Sequence, residues 1–257
     1  MDMDTKTILI TGASRGIGEQ LALRYAAPNT NLILVARDLK NLSKVARQCQ
    51  EQGANTVQES IDVRDAIQLK KFIIETDNTM PIHLVIANAG VSSTLQSNWQ
   101  PEREEDISQV LAINVQGTIN TVAPLMHRMI ERKKGQIAMM SSIAGLRGLP
   151  QSPSYCASKA AIHMYGQSLR AWLIRYQIHV SVICPGYVKT DMSDKLSGLK
   201  PFLISSEKAA QIIQKGLLKN KKYIIFPWSL HMLTQLSRIL PSRPVDAILN
   251  RFESYIT

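Results

Sequence analysis

Tyr155 and Lys159 stand four residues apart in the stretch Ser154-Tyr155-Cys156-Ala157-Ser158-Lys159. On a helix this spacing puts both side chains on one face, over the same patch of space. A phenol with its ordinary pKa of about 10 is a poor proton donor and acceptor at neutral pH. An ammonium held roughly 4 Å away would favour the phenolate by about 4 kcal/mol at an effective dielectric near 20. That would lower the pKa by about three and bring the tyrosine into range as a general acid/base.

A second cluster lies near the start of the chain. The run Thr11-Gly12-Ala13-Ser14-Arg15-Gly16-Ile17-Gly18 follows a strand-like segment and opens a helix. Glycines at 12, 16 and 18 would let backbone approach a pyrophosphate and let helix and strand pack closely. The helix N-terminus would offer the phosphates free N–H groups and the positive end of its dipole. The next strand ends Leu34-Val35-Ala36-Arg37, with no acidic residue at 36 to hold a ribose 2′-hydroxyl. Two guanidinium groups, Arg15 and Arg37, converging on a 2′-phosphate would favour NADP(H) over NAD(H).

Both clusters need a scaffold, and the hydrophobic pattern predicts one. Short aliphatic runs at Thr7–Thr11, Asn31–Ala36, Thr56–Ile61, His83–Ala87, Gln136–Met140, His179–Cys184 and Lys222–Phe226 read as strands. Helical stretches separate them: Gly16–Ala27, Leu39–Gln52, Ala66–Glu75, Glu104–Ile130, Tyr155–Tyr176 and Glu207–Leu218. Alternation of this kind predicts an α/β, doubly wound parallel sheet of about seven strands with helices on both faces. One domain over residues 1–227 accounts for it, followed by a helical C-terminal extension, 228–257.

In order along the chain, these motifs resemble the short-chain dehydrogenase/reductase family, in its single-domain subgroup with a Rossmann-type fold. Asp62-Val63 follows the third strand, where that family contacts adenine. Asn88-Ala89-Gly90 ends the fourth and lines the cofactor cleft in relatives. Asn114 sits mid-helix, Ser142 closes the fifth strand, and Pro185-Gly186-Tyr187-Val188-Lys189-Thr190 leaves the sixth. The resemblance runs from about Lys6 to Thr190 and implies a catalytic set of Asn114, Ser142, Tyr155 and Lys159. Tyr155 would protonate a substrate carbonyl, and Ser142 would fix that carbonyl within hydride range. Lys159 would lower the tyrosine pKa and bind the nicotinamide ribose. Asn114 would bend its helix and hold a water that links Lys159 to solvent. Ser141 is expected on the opposite side of its strand. The implied cofactor contacts are Gly12, Ser14, Arg15, Gly16, Ile17, Gly18, Arg37, Asp62, Val63, Asn88, Ala89, Gly90, Tyr155, Lys159, Pro185, Gly186, Val188 and Thr190. The expected activity is NADP(H)-dependent interconversion of a carbonyl compound and an alcohol. An epimerase or dehydratase, or a non-catalytic nucleotide sensor on the same fold, are the alternatives.

Composition is consistent with that reading. With 45% hydrophobic and 19% charged residues, the 257-residue chain has ordinary globular make-up. The formal net charge of +10 fits a phosphorylated cofactor, and no basic run with interleaved aromatics argues for nucleic acid. Three scattered cysteines suggest a reducing, cytoplasmic setting. His83, His127, His163, His179 and His231 lack metal-ligand spacing, so no metal is expected. The acidic start, Met1–Asp4, does not read as a secretory signal.

The C-terminus departs from the family. Leu233, Leu236 and Leu240 recur at helical spacing, Pro241 and Pro244 are expected to break that helix, and Val245, Ile248, Leu249, Phe252 and Ile256 form a second apolar stripe. A flap over the substrate cleft or a contact with a dimer partner is the expectation. Docking on a membrane surface, helped by Lys219, Lys221 and Lys222, is the alternative. The stretch from Lys189 to Ile204, with Met192, Leu196, Leu199, Pro201, Phe202 and Leu203 among Lys195 and Lys200, would cover a small-molecule substrate of lipophilic character. A homodimer through the two long helices, or a tetramer, is expected.

Overall fold

The computed structural model describes residues 5–96, 100–194, 196 and 199–253. Lys195, the side chain of Phe252, and Ile256 lie outside the described residues, as does the acidic start. In chain order the strands are β1 (Lys6–Thr11), β2 (Thr30–Ala36), β3 (Asn55–Ser60), β4 (Leu84–Ala87), β5 (Gly135–Met140), β6 (Ile178–Pro185), β7 (Val188–Lys189), β8 (Ile204–Ser205) and β9 (Tyr223–Phe226). Seven of them form one parallel sheet in the order β3-β2-β1-β4-β5-β6-β9, while β7 and β8 pair as a small separate ribbon. The strand order reverses between β1 and β4, which opens a crevice at the carboxyl edge of the sheet.

The helices are α1 (Gly16–Tyr25), α2 (Leu39–Glu51), α3 (Ala66–Thr79), α4 (Glu104–Leu111), α5 (Gly117–Arg132), α6 (Pro153–Leu173), α7 (Asp191–Asp194), α8 (Ser206–Leu218), α9 (Trp228–Ile239) and α10 (Ser242–Glu253). Period-two burial divides them between the two faces. Ile8, Ile10, Leu32 and Leu34 pack against α1, α2 and α8. Leu9, Ile33 and Val35, one residue out of phase, pack against α3, α5 and α6. A strand covered on both faces reads as a continuous apolar run, which is why Ile8-Leu9-Ile10 announces β1 so clearly.

Two expected helices differ from the structure in ways that matter for the site. Glu104–Ile130 is not one regular helix: Ala112–Gln116 forms a π-helical turn between α4 and α5, and Asn114 lies within it. Pro244 does not break a helix but sits in the first turn of α10, where its missing N–H leaves no bond unmade. Pro241 alone stands between α9 and α10. The extension packs on the main body. α9 lies against β9 and the 3-10 turn Ile143–Gly145, and Leu230 joins the cluster of Ile143, Val182 and Cys184.

Candidate active site

The glycine turn leaves β1 with Gly12 and Gly16 at positive φ, +67° and +59°. A Cβ on Gly18 would meet the Gly12 carbonyl oxygen at 2.1 Å, so no side chain fits where α1 crosses the turn. Gly18 therefore sets the packing and does not line the cleft. Asn88 locks the turn from β4: its Nδ2 donates to the carbonyls of Thr11 at 3.0 Å and Gly12 at 3.2 Å. Helices α2, α3 and α8 have side-chain caps from Asp38, Asp65 and Ser205, but Arg15 at the α1 N-cap supplies none. The Gly16 N–H is met by the Glu19 carboxyl, while the N-cap side chain claims none of the other first-turn N–H groups of α1, which can face an anion.

Ser14, Arg15, Gly16, Ile17, Arg37, Asp62, Val63, Ala89 and Gly90 line a cleft of about 900 Å³ beside that turn. It continues past Ser142, Tyr155 and Lys159 to Pro185, Gly186, Val188 and Thr190. Arg15 pairs with Asp191 at 3.1 Å and Arg37 with Asp62 at 3.7 Å, all on exposed or half-exposed side chains. Asp62 is held more tightly by Arg64 at 2.7 Å, which keeps its carboxyl below the usual range. Asp38 also borders the cleft, yet both its oxygens serve Asn41, accepting from the backbone N at 3.0 Å and from Nδ2 at 2.6 Å. These residues fit a dinucleotide, with a glycine turn and helix start for phosphates at one end and cations where the ribose 2′ position would lie.

At the other end, Ser142 hydrogen-bonds Tyr155, and its Oγ lies 3.3 Å from the Pro185 carbonyl, to which it can donate, and 3.1 Å from the Ala144 N–H. Ser141 behaves as expected for the neighbouring position: its hydroxyl donates to the Lys159 carbonyl at 2.8 Å and ties β5 to α6.

One expectation needs correction. Lys159 does not lower the tyrosine pKa in this arrangement. Its Nζ lies 5.6 Å from the ring centroid, with the ammonium over the ring, and it donates to the Met140 carbonyl at 3.0 Å. Burial is the larger effect: it pushes the Tyr155 phenol up to about 12, with the Ser142 hydrogen bond opposing in part. The same burial brings Lys159 down to about 8. The Asn114 side chain, in turn, is fully engaged. Oδ1 accepts from the Val91 N–H at 2.8 Å, and Nδ2 donates to the Val91 carbonyl at 2.9 Å and to Ser158 Oγ at 3.0 Å. Ser158 Oγ donates in turn to the Tyr155 carbonyl at 2.7 Å. Asn114 lies behind the cleft as a bolt between the loop after β4 and α6.

The lysine shift has a measurable consequence. Below pH 8 Lys159 is protonated in folded and unfolded chains alike, and folding bears the whole cost of burying the charge. As pH rises from about 8 towards 10.5, the folded protein loses the proton first and that cost is relieved. Lys159→Met should therefore stabilise the protein at neutral pH by up to about 3 kcal/mol while abolishing function. In urea denaturation the gain over the wild type should fade between pH 8 and 10.5. A gain constant across that range would show that the buried charge is not its source.

The family model for short chain dehydrogenases matches residues 6–199. The chain belongs to that family. This short-chain dehydrogenase is 32% identical over 251 residues to an uncharacterized oxidoreductase of Myxococcus xanthus, spanning 97% of this chain and 98% of the relative. A short chain dehydrogenase from Mycobacterium paratuberculosis, solved bound to NAD, superposes with a TM-score of 0.75 at 26% identity, over 88% of this chain and 96% of that one. One from Sphingobium yanoikuyae in complex with NADPH shares the fold, with a TM-score of 0.78 at 24% identity over 98% and 96% of the two chains.

One group in this dehydrogenase was not visible in the sequence. Ser152 at the α6 N-cap makes no side-chain cap bond. The cap comes instead from Glu102, buried on the loop before α4. Oε2 accepts from the Ser154 N–H at 3.0 Å, and Oε1 accepts from Ser154 Oγ at 2.7 Å and from Ser93 Oγ. A carboxylate at the start of the helix, one residue before Tyr155, is favoured by the helix dipole. Glu102→Ala leaves those buried donors unpaired, which should cost about 1–3 kcal/mol. Calorimetry should show Tm lowered by a few degrees, and a Tm equal to the wild type would refute the assignment. A separation of 52 positions in sequence gave no local signal of this cap.

Proposed function

We propose that this dehydrogenase interconverts a ketone or aldehyde and the corresponding alcohol with NADP(H). The observation that carries the reading is the Tyr155 hydroxyl, protonated at neutral pH and hydrogen-bonded to Ser142 on the wall of a cleft that begins at a phosphate cradle. The nicotinamide supplies or removes hydride at the reacting carbon. In the reductive direction Tyr155 donates its proton to the carbonyl oxygen, and Ser142 holds that oxygen in place. Lys159, with a pKa near 8, exchanges protons with little driving force either way and can hold ribose hydroxyls. Asn114 and Glu102 act indirectly, by fixing α6.

Three buried free thiols, Cys49, Cys156 and Cys184, support a reducing, cytoplasmic setting. Along α6 the exposed residues Ala157, Ala161, Met164, Ser168 and Trp172 form a stripe of mostly small side chains, which supports a homodimer packed helix against helix. The test of the reading is NADPH consumption against a panel of ketones and aldehydes. Tight NADPH binding with no turnover of any panel member would replace it with a nucleotide-sensing role.

A further inference from the structure

Beyond Ser142 the cleft does not stop. Its lining takes in Leu233 and Leu236 of α9, Leu240 just after it, Ile248 of α10, and Leu199 and Phe202 from the stretch before β8. These six side chains remain 47% to 66% exposed although they form the walls of a cavity. The polar side chains that α9 brings to this region are already engaged: Thr234 donates to the Leu230 carbonyl at 2.9 Å and Ser237 to the Thr234 carbonyl at 2.8 Å. Arg147 is held by Asp246 of α10 at 2.5 Å, and its Nε is buried without a partner. The wall is continuous with the chemistry, because α9 rests on the turn Ile143–Gly145 that directly follows Ser142.

We infer that this outer cleft is the seat of a long saturated hydrocarbon chain borne by the reacting carbonyl compound. The inference rests on the carbonyl/alcohol reading above and narrows it to aliphatic substrates. A hydrocarbon needs no hydrogen-bonding partner and gains from every methylene it removes from water, which matches walls that present apolar surface and little free polar capacity. A second copy of the chain, or a lipid surface, would cover the same residues without occupying the space between them.

The test uses the full chain with NADPH and a series of straight-chain methyl ketones from butanone to dodecanone. Because a buried methylene is worth a nearly constant increment, kcat/KM should rise about fourfold per added carbon until the walls are covered. Calorimetric titration of the matching alcohols into the NADP⁺-loaded protein should show affinity rising in the same way, without any need for turnover. Leu236→Gln and Ile248→Gln should each lower the dodecanone-to-butanone ratio of kcat/KM by about tenfold or more. Turnover with a flat chain-length profile overturns the inference and leaves the carbonyl reading standing. A rising affinity for alcohols without turnover of any ketone does the reverse. An undiminished slope in both variants, with loss of dimer on sedimentation or of vesicle binding, assigns the apolar walls to a partner copy or a lipid surface and overturns the inference.

Discussion

Tyr155→Phe is expected to lower kcat for carbonyl reduction by about a hundredfold to ten-thousandfold, the usual worth of a positioned acid/base group. NADPH affinity should be nearly unchanged, because the ring stays on the cleft wall and only the hydroxyl is removed. The split between kcat and cofactor binding is the informative part. Burial keeps the phenol at about 12 and therefore protonated at neutral pH, so the loss should be a loss of proton donation and not of a phenolate's charge. Steady-state kinetics with fluorescence titration of NADPH separates the two. Turnover that survives the substitution would move the proton donor to another residue or to water.

The second large effect concerns the phosphate end. Arg15 pairs with the exposed Asp191, and Arg37 reaches the partly buried Asp62 only at 3.7 Å; surface ion pairs of that kind are worth about 1 kcal/mol or less. A 2′-phosphate dianion competes easily for both guanidinium groups. Neither position 36 nor Asp38 offers a 2′-hydroxyl a free carboxylate instead, since β2 ends in Ala36 and Asp38 caps α2. Arg15→Ala combined with Arg37→Asp removes two charge-assisted contacts, each worth about 1.5–3 kcal/mol. NADPH should then bind about a hundredfold to ten-thousandfold more weakly, with NADH unchanged or tighter. Equal loss of both cofactors would show that these arginines do not read the phosphate.

The layout of this fold was legible because its signals are local. Ile8-Leu9-Ile10 and Leu32-Ile33-Leu34-Val35 read as strands buried on both faces, and Gly12, Gly16 and Gly18 mark a turn that excludes side chains. Spacing puts Tyr155 and Lys159 on one helical face, and the ordered motifs around them single the pair out. What stayed hidden depends on tertiary contact. The family resemblance implied a bend at Asn114, but not its form as a π-turn over Ala112–Gln116 or the hydrogen bonds from Asn114 to Val91 and Ser158 that accompany it. Glu102 capping α6 is of the same kind. The direction of the Tyr155 pKa was misread for a different reason: spacing gives the neighbouring charge but not the depth of burial, and here burial outweighs charge. The apolar stripes of α9 and α10 were visible, but only the packed structure shows that they wall the cleft.

Asn88 holds the carbonyls of Thr11 and Gly12, and three residues further along the same loop Val91 is clamped by Asn114, which reaches Tyr155 through Ser158. In the proposed mechanism, phosphate cradle and proton donor would be the two ends of one short ruler made of hydrogen bonds. Its length is set within the protein, by side chains that bind main chain. A dinucleotide laid along it would meet a spacing fixed in advance.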